Sequence, residues 1–580
     1  MSTNISKQKR DDLLAKIEQI KTYIQKSEYD QNITTLLQYL NELTKEVNGK
    51  KYGLVFEEHR EKIDEQLENS LPVFTEEKDL FIDNGGQMNF LIEGDNLASL
   101  KLLEKTHKGK IDVIYIDPPY NTGNKDFVYD DSFVDGEDSF RHSKWCSFIT
   151  KRLEIAQKLL KETGIIFISI DDNEYAPLKI ICDDIFGETN RISTHHIQVR
   201  YDNKSLNEKK AFQECLEYVL IYAKKGQCFI PNQPTEDYSI EPFVYEIKET
   251  GDKEEITLGK KKVTIFKKGN YEITKHDKPS TSFLKGTWAS GSVVKGNTSG
   301  KFFETYLKPR KEIDGLETLY KVEGIGEDGL GFRYFTGPLK ATATQGIFYS
   351  GIPLSRLEEL KTGSSKKYKT ISNYYDFSAD FGNIRQEGGV PFNSGKKPIK
   401  MIRQFLNYHK SKNITVLDFF AGSGSTGHAV LSLNNEDNGK RKFILCTNNE
   451  NNICRDITYA RMVNILTKNN LSGSLKYFRV DFIPITEKEY YEYADKLLLN
   501  IRELVELENA LNFTGNKKIA IVLTDTELEE FCSSINEKSE CHTAYIGHNV
   551  LLTKEQKSLF KVNNIKIKII PEYYYPELNG

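Results

Sequence analysis

Short apolar runs rich in β-branched residues recur along this chain. Between most of them the apolar positions switch to helical spacing. Phe90-Leu91-Ile92, Ile111–Ile116, Ile165–Ile170 and Tyr218–Tyr222 read as buried strands. Asn96–Lys105 and Trp145–Lys161 carry a helical period, the second through Phe148, Leu153, Ile155, Ala156, Leu159 and Leu160, with Gly164 as its predicted stop. Over residues 80–230 this alternation predicts a parallel, doubly wound α/β sheet. The pattern returns over 390–470: a strand at Ile414–Asp418, a small-residue loop at Phe419–Thr426, a helix from Gly427 to Leu433, and a strand at Lys442–Thr447.

The flanks and the middle differ. Leu13, Leu14, Ile17, Ile20 and Ile24, then Leu36, Leu37, Leu40 and Leu43, predict two amphipathic N-terminal helices that dock on the next domain or on a second copy. Residues 485–580 read as a small α/β unit. Its strands are expected at Lys517–Leu523, Thr543–Ile546 and Ile565–Ile570, its helices at Glu527–Cys532 and Thr553–Phe560, and an acid-rich helix over Tyr490–Asn509 would link it to the rest. Across 231–385 helical periodicity fades, and glycine, lysine and aromatics rise. From Lys260 to Lys285 eight lysines face only Glu272 and Asp277, interleaved with Phe266, Tyr271 and Phe283, with Trp288 just beyond. Gly329–Gly337 has the same character. Such a surface fits a phosphate backbone and stacked bases; a solvated β-domain with a lysine-rich face is the plain alternative.

Bulk composition narrows the class. With 580 residues, 38% hydrophobic and 28% charged and a mean hydropathy of -0.53, a soluble protein of several domains is expected. No apolar run reaches the length of a membrane span, and the polar, charged start argues against a signal peptide. Eight scattered cysteines without a C-x-x-C read as reduced cytosolic thiols, and neither a disulfide frame nor a metal site is expected. Net charge is -4, so any nucleic-acid surface must be a local basic patch.

Two stretches carry chemistry. Asp117-Pro118-Pro119-Tyr120 follows the Ile111–Ile116 strand, at the strand end where open α/β sheets keep their sites. The prolines cannot extend a ladder and leave carbonyls as acceptors. A carboxylate and an aromatic face flank them, a combination suited to an exocyclic amine on a planar base. The second stretch is the strand–loop–helix at 414–433. Gly422 and Gly424 let a ligand approach the backbone, and the following helix offers its N-terminal amides. The spacing matches neither a dinucleotide fingerprint nor a phosphate loop. Glu450, one strand later, is positioned to hold ribose hydroxyls, or is simply a surface-loop acid.

Together these stretches resemble the β-class adenine-N6 DNA methyltransferases, whose catalytic D-P-P-Y precedes the S-adenosylmethionine loop D-x-F-x-G-x-G. IYIDPPYNTGNKDFVYDDSF (114–133), EDGLGFRYFTGP (327–338) and FILCTNNENNICRDITYARM (443–462) are similar to the modification subunit of type III restriction–modification systems. The resemblance covers roughly residues 80–470. It implies an S-adenosylmethionine-dependent, Rossmann-like doubly wound fold in permuted order, with an inserted mixed target-recognition domain and a small C-terminal α/β domain. The implied domains are 1–75 (helical), 76–230 (catalytic half), 231–388 (target recognition), 389–484 (cofactor half) and 485–580.

The resemblance also implies roles. Asp117, Pro118, Pro119 and Tyr120 would be catalytic. Phe420, Ala421, Gly422, Ser423, Gly424 and Thr426 would line the S-adenosylmethionine site, with Asp418 bracing the loop. Lys397, in Asn393–Pro398, matches the family's K-P motif and would sit near the donor's carboxylate; Asp95 would lie by its adenine. Two departures stand out. Leu216 replaces the His common before Glu217-Tyr218, which weakens a base-pocket role there, and Cys446-Thr447-Asn448 is a more polar strand exit than usual. The implied activity is methylation of N6 of a flipped adenine in duplex DNA, without a metal, by a cytoplasmic, nucleoid-associated bacterial homodimer serving a separate helicase–nuclease subunit. A solitary methyltransferase, a cytosine-N4 enzyme (disfavoured by Asp117, where those carry Ser) and a non-catalytic recognition subunit are the alternatives.

Overall fold

The computed structural model describes residues 5–26, 33–47, 54–123, 128–129, 132–202, 212–289, 298–362, 365–382, 384–392, 396–468, 471–484, 498 and 500–570. The chain divides into two compact units, one of Met1–Asn232 with Ser372–Gly580 and one of Gln233–Ile371.

In the first unit the described residues form a ten-stranded sheet. Its order is Ser70–Glu76, Ser474–Pro484, Met88–Glu93, Lys442–Thr447, Thr415–Asp418, Ile111–Ile116, Leu160–Ile170, Leu216–Ala223, Arg191–Gln198, Tyr374–Asp376. Helices Asn96–His107, Arg141–Leu159, Ile399–Leu406 and Ser425–Asp437 accompany it. The Ile111–Ile116 strand is buried along its whole length, as a β-branched run between covered faces should be. Strands from the two halves of the chain interleave: Val113 pairs with Val416 and Ile114 with Leu417, and Met88–Glu93 lies between Lys442–Thr447 and Ser474–Pro484. This is a Rossmann-like, doubly wound sheet assembled from both halves of the chain.

The all-parallel expectation is corrected in places. Leu216–Ala223 runs antiparallel to both its neighbours, and Ser70–Glu76 is antiparallel to Ser474–Pro484. The Arg191–Gln198 strand lies beyond Leu216–Ala223 in the sheet, so the chain reaches it first and returns by a reversal. Gly164 does not stop a helix. The helix ends at Leu159, and Gly164 lies in the Leu160–Ile170 strand, at a register irregularity opposite Ile111–Val113. A Cβ there would stand 2.9 Å from the Ile111 carbonyl, so the glycine serves close strand approach. Residues 372–388, grouped in the sequence with the insertion, belong to the first unit, because Tyr374–Asp376 pairs in parallel with Arg191–Gln198.

At the ends of the chain, helices Ile5–Gln25 and Ile33–Val47 are present. The linking helix is seen over Ile501–Asn509; residues 490–497 of the predicted span lie outside the described residues. The C-terminal unit is a three-stranded parallel sheet, Ile519–Val522, Thr543–Ile546 and Lys566–Ile569. It has its own core around Val522, Phe531, Ile546 and Phe560, while Phe513, Tyr545 and Ile570 join the main core. Fully buried Lys476 pairs with Glu76 at 3.0 Å and with fully buried Glu506, tying the linking helix to the edge of the sheet.

The second unit is an eight-stranded sheet whose paired strands are all antiparallel, in the order Glu254–Leu258, Lys261–Phe266, Leu319–Glu323, Phe332–Thr336, Ile347–Ser350, Leu284–Trp288, Phe243–Glu249, Tyr271–Lys275. The expected stacking surface is partly overturned. Phe266, Tyr334 and Phe335 are core residues, and Phe283 is stacked on His276 at 4.2 Å. Trp288 alone of the four singled-out aromatics is widely exposed, at 60%. Several lysines are neutralised by acids beyond the lysine-rich window: Lys262 by Glu255 and Glu323, Lys268 by Glu317.

Candidate active site

Two loops meet at the carboxyl edge of the central sheet because their parent strands are neighbours. The first is Asp117–Tyr120, directly after Ile116. Pro119 is fixed by the Trp145 indole, whose Nε1 donates to its carbonyl at 2.7 Å. The Pro118 carbonyl lies next to Asp117 in the same loop. Asn121 follows in a left-handed conformation, φ 58°, and its side-chain amide donates to buried Glu174 at 2.5 Å, which also binds His142 at 2.7 Å. These contacts lock the loop from behind.

Around Asp117 the side chains form a closed polar cluster. Tyr120 Oη lies 3.0 Å from Asp117 Oδ1 and 2.9 Å from Glu217 Oε2. Lys397 Nζ donates to Tyr120 Oη at 2.7 Å and to Glu217 Oε2 at 2.8 Å, and stands 3.3 Å from Asp117 Oδ1. Burial pushes the Asp117 carboxyl up to about 6, against the pull of Lys397. Burial also works against the Lys397 charge, yet Asp117 and Glu217 together hold that ammonium above its ordinary value. Lys397 therefore has the Asp117–Tyr120 loop and Glu217 as its partners. The Asn393–Gly395 part of its motif lies outside the described residues.

The second loop, Phe419–Thr426, follows the Thr415–Asp418 strand. Asp418 spends both carboxylate oxygens on the loop itself: Oδ1 accepts from the Phe420 amide at 3.0 Å and Oδ2 from Thr426 Oγ1 at 2.5 Å. Burial raises its carboxyl to about 7 despite those bonds. Gly422 and Gly424 are left-handed, φ 47° and 74°. A Cβ on Gly422 would meet nothing nearer than the Phe420 carbonyl at 3.8 Å, so a ligand can approach its backbone. On Gly424 it would press on Thr458 at 3.1 Å and Met462 at 3.2 Å. Ser425–Asp437 starts immediately after and offers its N-terminal amides. This open glycine cradle, backed by an internally satisfied acid, suits a nucleotide-like cofactor.

The remaining predicted residues fall around this loop. Asp95 caps helix Asn96–His107 through the Leu97 and Ala98 amides, and the adjacent Asn96 donates to the Phe419 carbonyl at 3.0 Å. Ala421 donates to the Cys446 carbonyl at 3.1 Å. Glu450 sits on an exposed turn just past the Lys442–Thr447 strand, with left-handed Asn451 and Asn452 beside it.

Three charged residues escaped the sequence reading. Fully buried Arg461 bonds Ser423 and Ser425 and pairs with Glu387 at 3.3 Å, bracing the glycine loop from below. Buried Arg152 clasps Glu61 at 2.9 and 3.0 Å and reaches Asn96 at 2.6 Å. Glu217 is the third; it stands beside Asp117 because its strand is antiparallel and presents its N-terminal end at that edge of the sheet. Arg461 falls inside the quoted 443–462 string, which was the available signal. A cavity of about 920 Å³ lies elsewhere, along helices Asn96–His107 and Arg141–Leu159 and lined by Lys101, Lys105, Lys108 and Lys151 among others.

Fold and site together define the class: a permuted methyltransferase fold with an acceptor loop and a glycine cradle on adjacent parallel strands. The chain belongs to the N6/N4 DNA methylase family, which it matches over residues 111–460. It is 31% identical over 402 residues to the StyLTI Mod subunit, a type III restriction–modification enzyme subunit of Salmonella typhimurium, across 64% of this chain and 54% of that one. It is 32% identical over 407 residues to the EcoPI Mod subunit of Escherichia phage P1, across 63% and 58%. Identity is 33% over 370 residues with the type II methyltransferase M.KpnI of Klebsiella pneumoniae, across 61% and 79%. The match thus spans little more than half the length of the two Mod subunits. Among the described residues no helix is long and apolar enough to cross a membrane.

Proposed function

We propose that this chain is a site-specific DNA methyltransferase acting on N6 of adenine in duplex DNA, with S-adenosylmethionine as donor. The observation that carries this is the adjacency of Asp117–Tyr120 and Asp418–Thr426 on paired strands, in a chain of a DNA methylase family. The donor, when bound, supplies a methyl group already activated on a sulfonium. Phe420, Ala421, Gly422, Ser423, Gly424 and Thr426 would hold it, with Asp418 bracing the loop, Glu450 at the ribose and Asp95 on the adenine side. The acceptor amine is a poor nucleophile, because its lone pair is delocalised into the ring. The Asp117 carboxylate and the Pro118 carbonyl would each take one amine hydrogen, pyramidalise the nitrogen and aim its lone pair. Positioning and electrostatics then supply the rate. Tyr120 would stack on the base, which must leave the helix to reach this edge. Residues 233–371 would read sequence over a lysine–phosphate layer.

The likeness to Mod subunits supports a cytoplasmic homodimer that methylates alone and lends recognition to a separate restriction subunit. The likeness to M.KpnI, whose length is covered more fully, supports a second reading: a methyltransferase that works without such a partner. The test is incubation with labelled S-adenosylmethionine and genomic DNA from a host lacking adenine methylation, followed by nucleoside analysis. N6-methyladenine is expected. N4-methylcytosine, or no transfer from protein that binds the donor, would refute the proposal.

A further inference from the structure

The proposed reaction releases a proton beside Asp117, where the seated base would stand between that carboxylate and solvent, and the cluster around Asp117 contains a way out for it. Nitrogen's lone pair forms the new N–C bond, the C–S bonding pair returns to sulfur, and one N–H bond must break, its pair staying on nitrogen. Asp117 stands beside the amine and receives that proton. It must lose it before the next turnover.

We propose that Tyr120 and Glu217 relay this proton from Asp117 to solvent, with Lys397 holding the relay together. This rests on the methyltransferase reading above. Tyr120 Oη is almost equidistant from the two carboxylates, 3.0 Å from Asp117 Oδ1 and 2.9 Å from Glu217 Oε2. A phenol has one hydrogen and two lone pairs. Its hydrogen can point to Glu217 while one lone pair takes the Lys397 N–H, at 2.7 Å. The other lone pair faces Asp117 and can accept from it once it is protonated. Transfer from Asp117 to Oη, with departure of the phenol's own hydrogen to Glu217, restores the Asp117 carboxylate. No phenolate forms, and Glu217 becomes a neutral acid. The side chains of Asp117 and Glu217 are 18% and 21% exposed; a base seated against Asp117 would cover that carboxylate and leave Glu217 as the group that discharges to water. Lys397 touches all three partners and fixes their spacing. Glu217 acts through Tyr120 and Asp117, so it is a positioning and relay residue and need not touch substrate.

The test separates the first methyl transfer from turnover. Full-length wild type and Glu217→Gln are preloaded with labelled S-adenosylmethionine and mixed with unmethylated genomic DNA. The glutamine keeps an acceptor for Lys397 but cannot take up a proton. The first-turnover rate of Glu217→Gln should stay within about threefold of wild type while its steady-state rate falls at least about a hundredfold, the low end of general acid–base contributions. Added formate, a small proton carrier, should restore the steady-state rate in proportion to its concentration and leave wild type unmoved. Glu217→Asp keeps a carboxylate that can take up the proton and should hold most of the wild-type steady-state rate without formate, so a loss confined to Glu217→Gln marks the missing proton acceptor and not a folding defect. Equal loss in both phases without formate rescue, or no loss in either, would overturn the relay. Absence of any methyl transfer by wild type would instead overturn the underlying reading.

Discussion

Replacing Lys397 with methionine isolates what its charge does to Asp117. The ammonium stands 3.3 Å from the carboxylate. With an effective dielectric near 20 that attraction is about 5 kcal/mol, and halving it for partial screening leaves about 2.5 kcal/mol, or roughly two pKa units. Glu217 would then face Asp117 with its counter-charge gone, which pushes in the same direction. Asp117 must be ionised to accept an amine hydrogen, and burial holds it at about 6. Wild-type methyl transfer should therefore fall as pH drops through about 6, approaching tenfold per unit below it. In Lys397→Met the same limb should move to about pH 8, and the rate should recover toward wild type by about pH 9. The assay is single-turnover transfer across that range, with thermal melting in parallel, because stripping one partner from a buried pair costs about 3–5 kcal/mol. A limb that stays near 6, or a loss of rate equal at every pH in folded protein, would refute the argument that Lys397 sets the charge state of Asp117.

Asp117→Ala should abolish transfer while donor binding, followed by calorimetry, stays near wild type; loss of both would mark a misfolded loop instead. Gly424→Ala places a side chain at φ 74° against Thr458 and Met462, and should cost about 1–2 kcal/mol and weaken donor affinity measurably. Undiminished affinity would count against the cradle. Lys476→Met takes the buried cation from both Glu76 and Glu506, leaving Glu506 the Arg502 guanidinium at 3.7 Å, and should lower stability by about 3–5 kcal/mol in a denaturant melt. A change under about 1 kcal/mol would mean that water reaches the cluster.

The acceptor loop and the glycine cradle were legible because both follow apolar strands, and strand ends in such sheets are where ligands bind. That the two strands are neighbours follows only from the pairing of residues some 300 positions apart, which no local pattern encodes. Glu217 was hidden for a related reason. The apolar content of Leu216–Ala223 declares a strand but not its direction. A parallel strand would have sent Ala223 to the active edge; reversal sends Glu217 there. Periodicity likewise could not distinguish an aromatic that covers a core, such as Phe335, from one offered to solvent, such as Trp288. That depends on which face of an antiparallel sheet another segment covers. Lys268 looked unopposed because its partner, Glu317, is distant in sequence, and Lys262 because Glu255 lies just before the lysine-rich window and Glu323 far beyond it.

The interleaving of the two halves sets a timetable for synthesis. Met88–Glu93 is complete early, yet the strands that flank it, Lys442–Thr447 and Ser474–Pro484, emerge hundreds of residues later. At about 5–20 residues per second, the nascent catalytic half waits on the order of tens of seconds with strand edges unpaired. Among the described residues the strands of 233–371 pair with one another, so that unit can fold during the wait. A ribosome that stops before residue 480 would leave a chain that carries Asp117 but lacks the Ser474–Pro484 strand that pairs with Met88–Glu93.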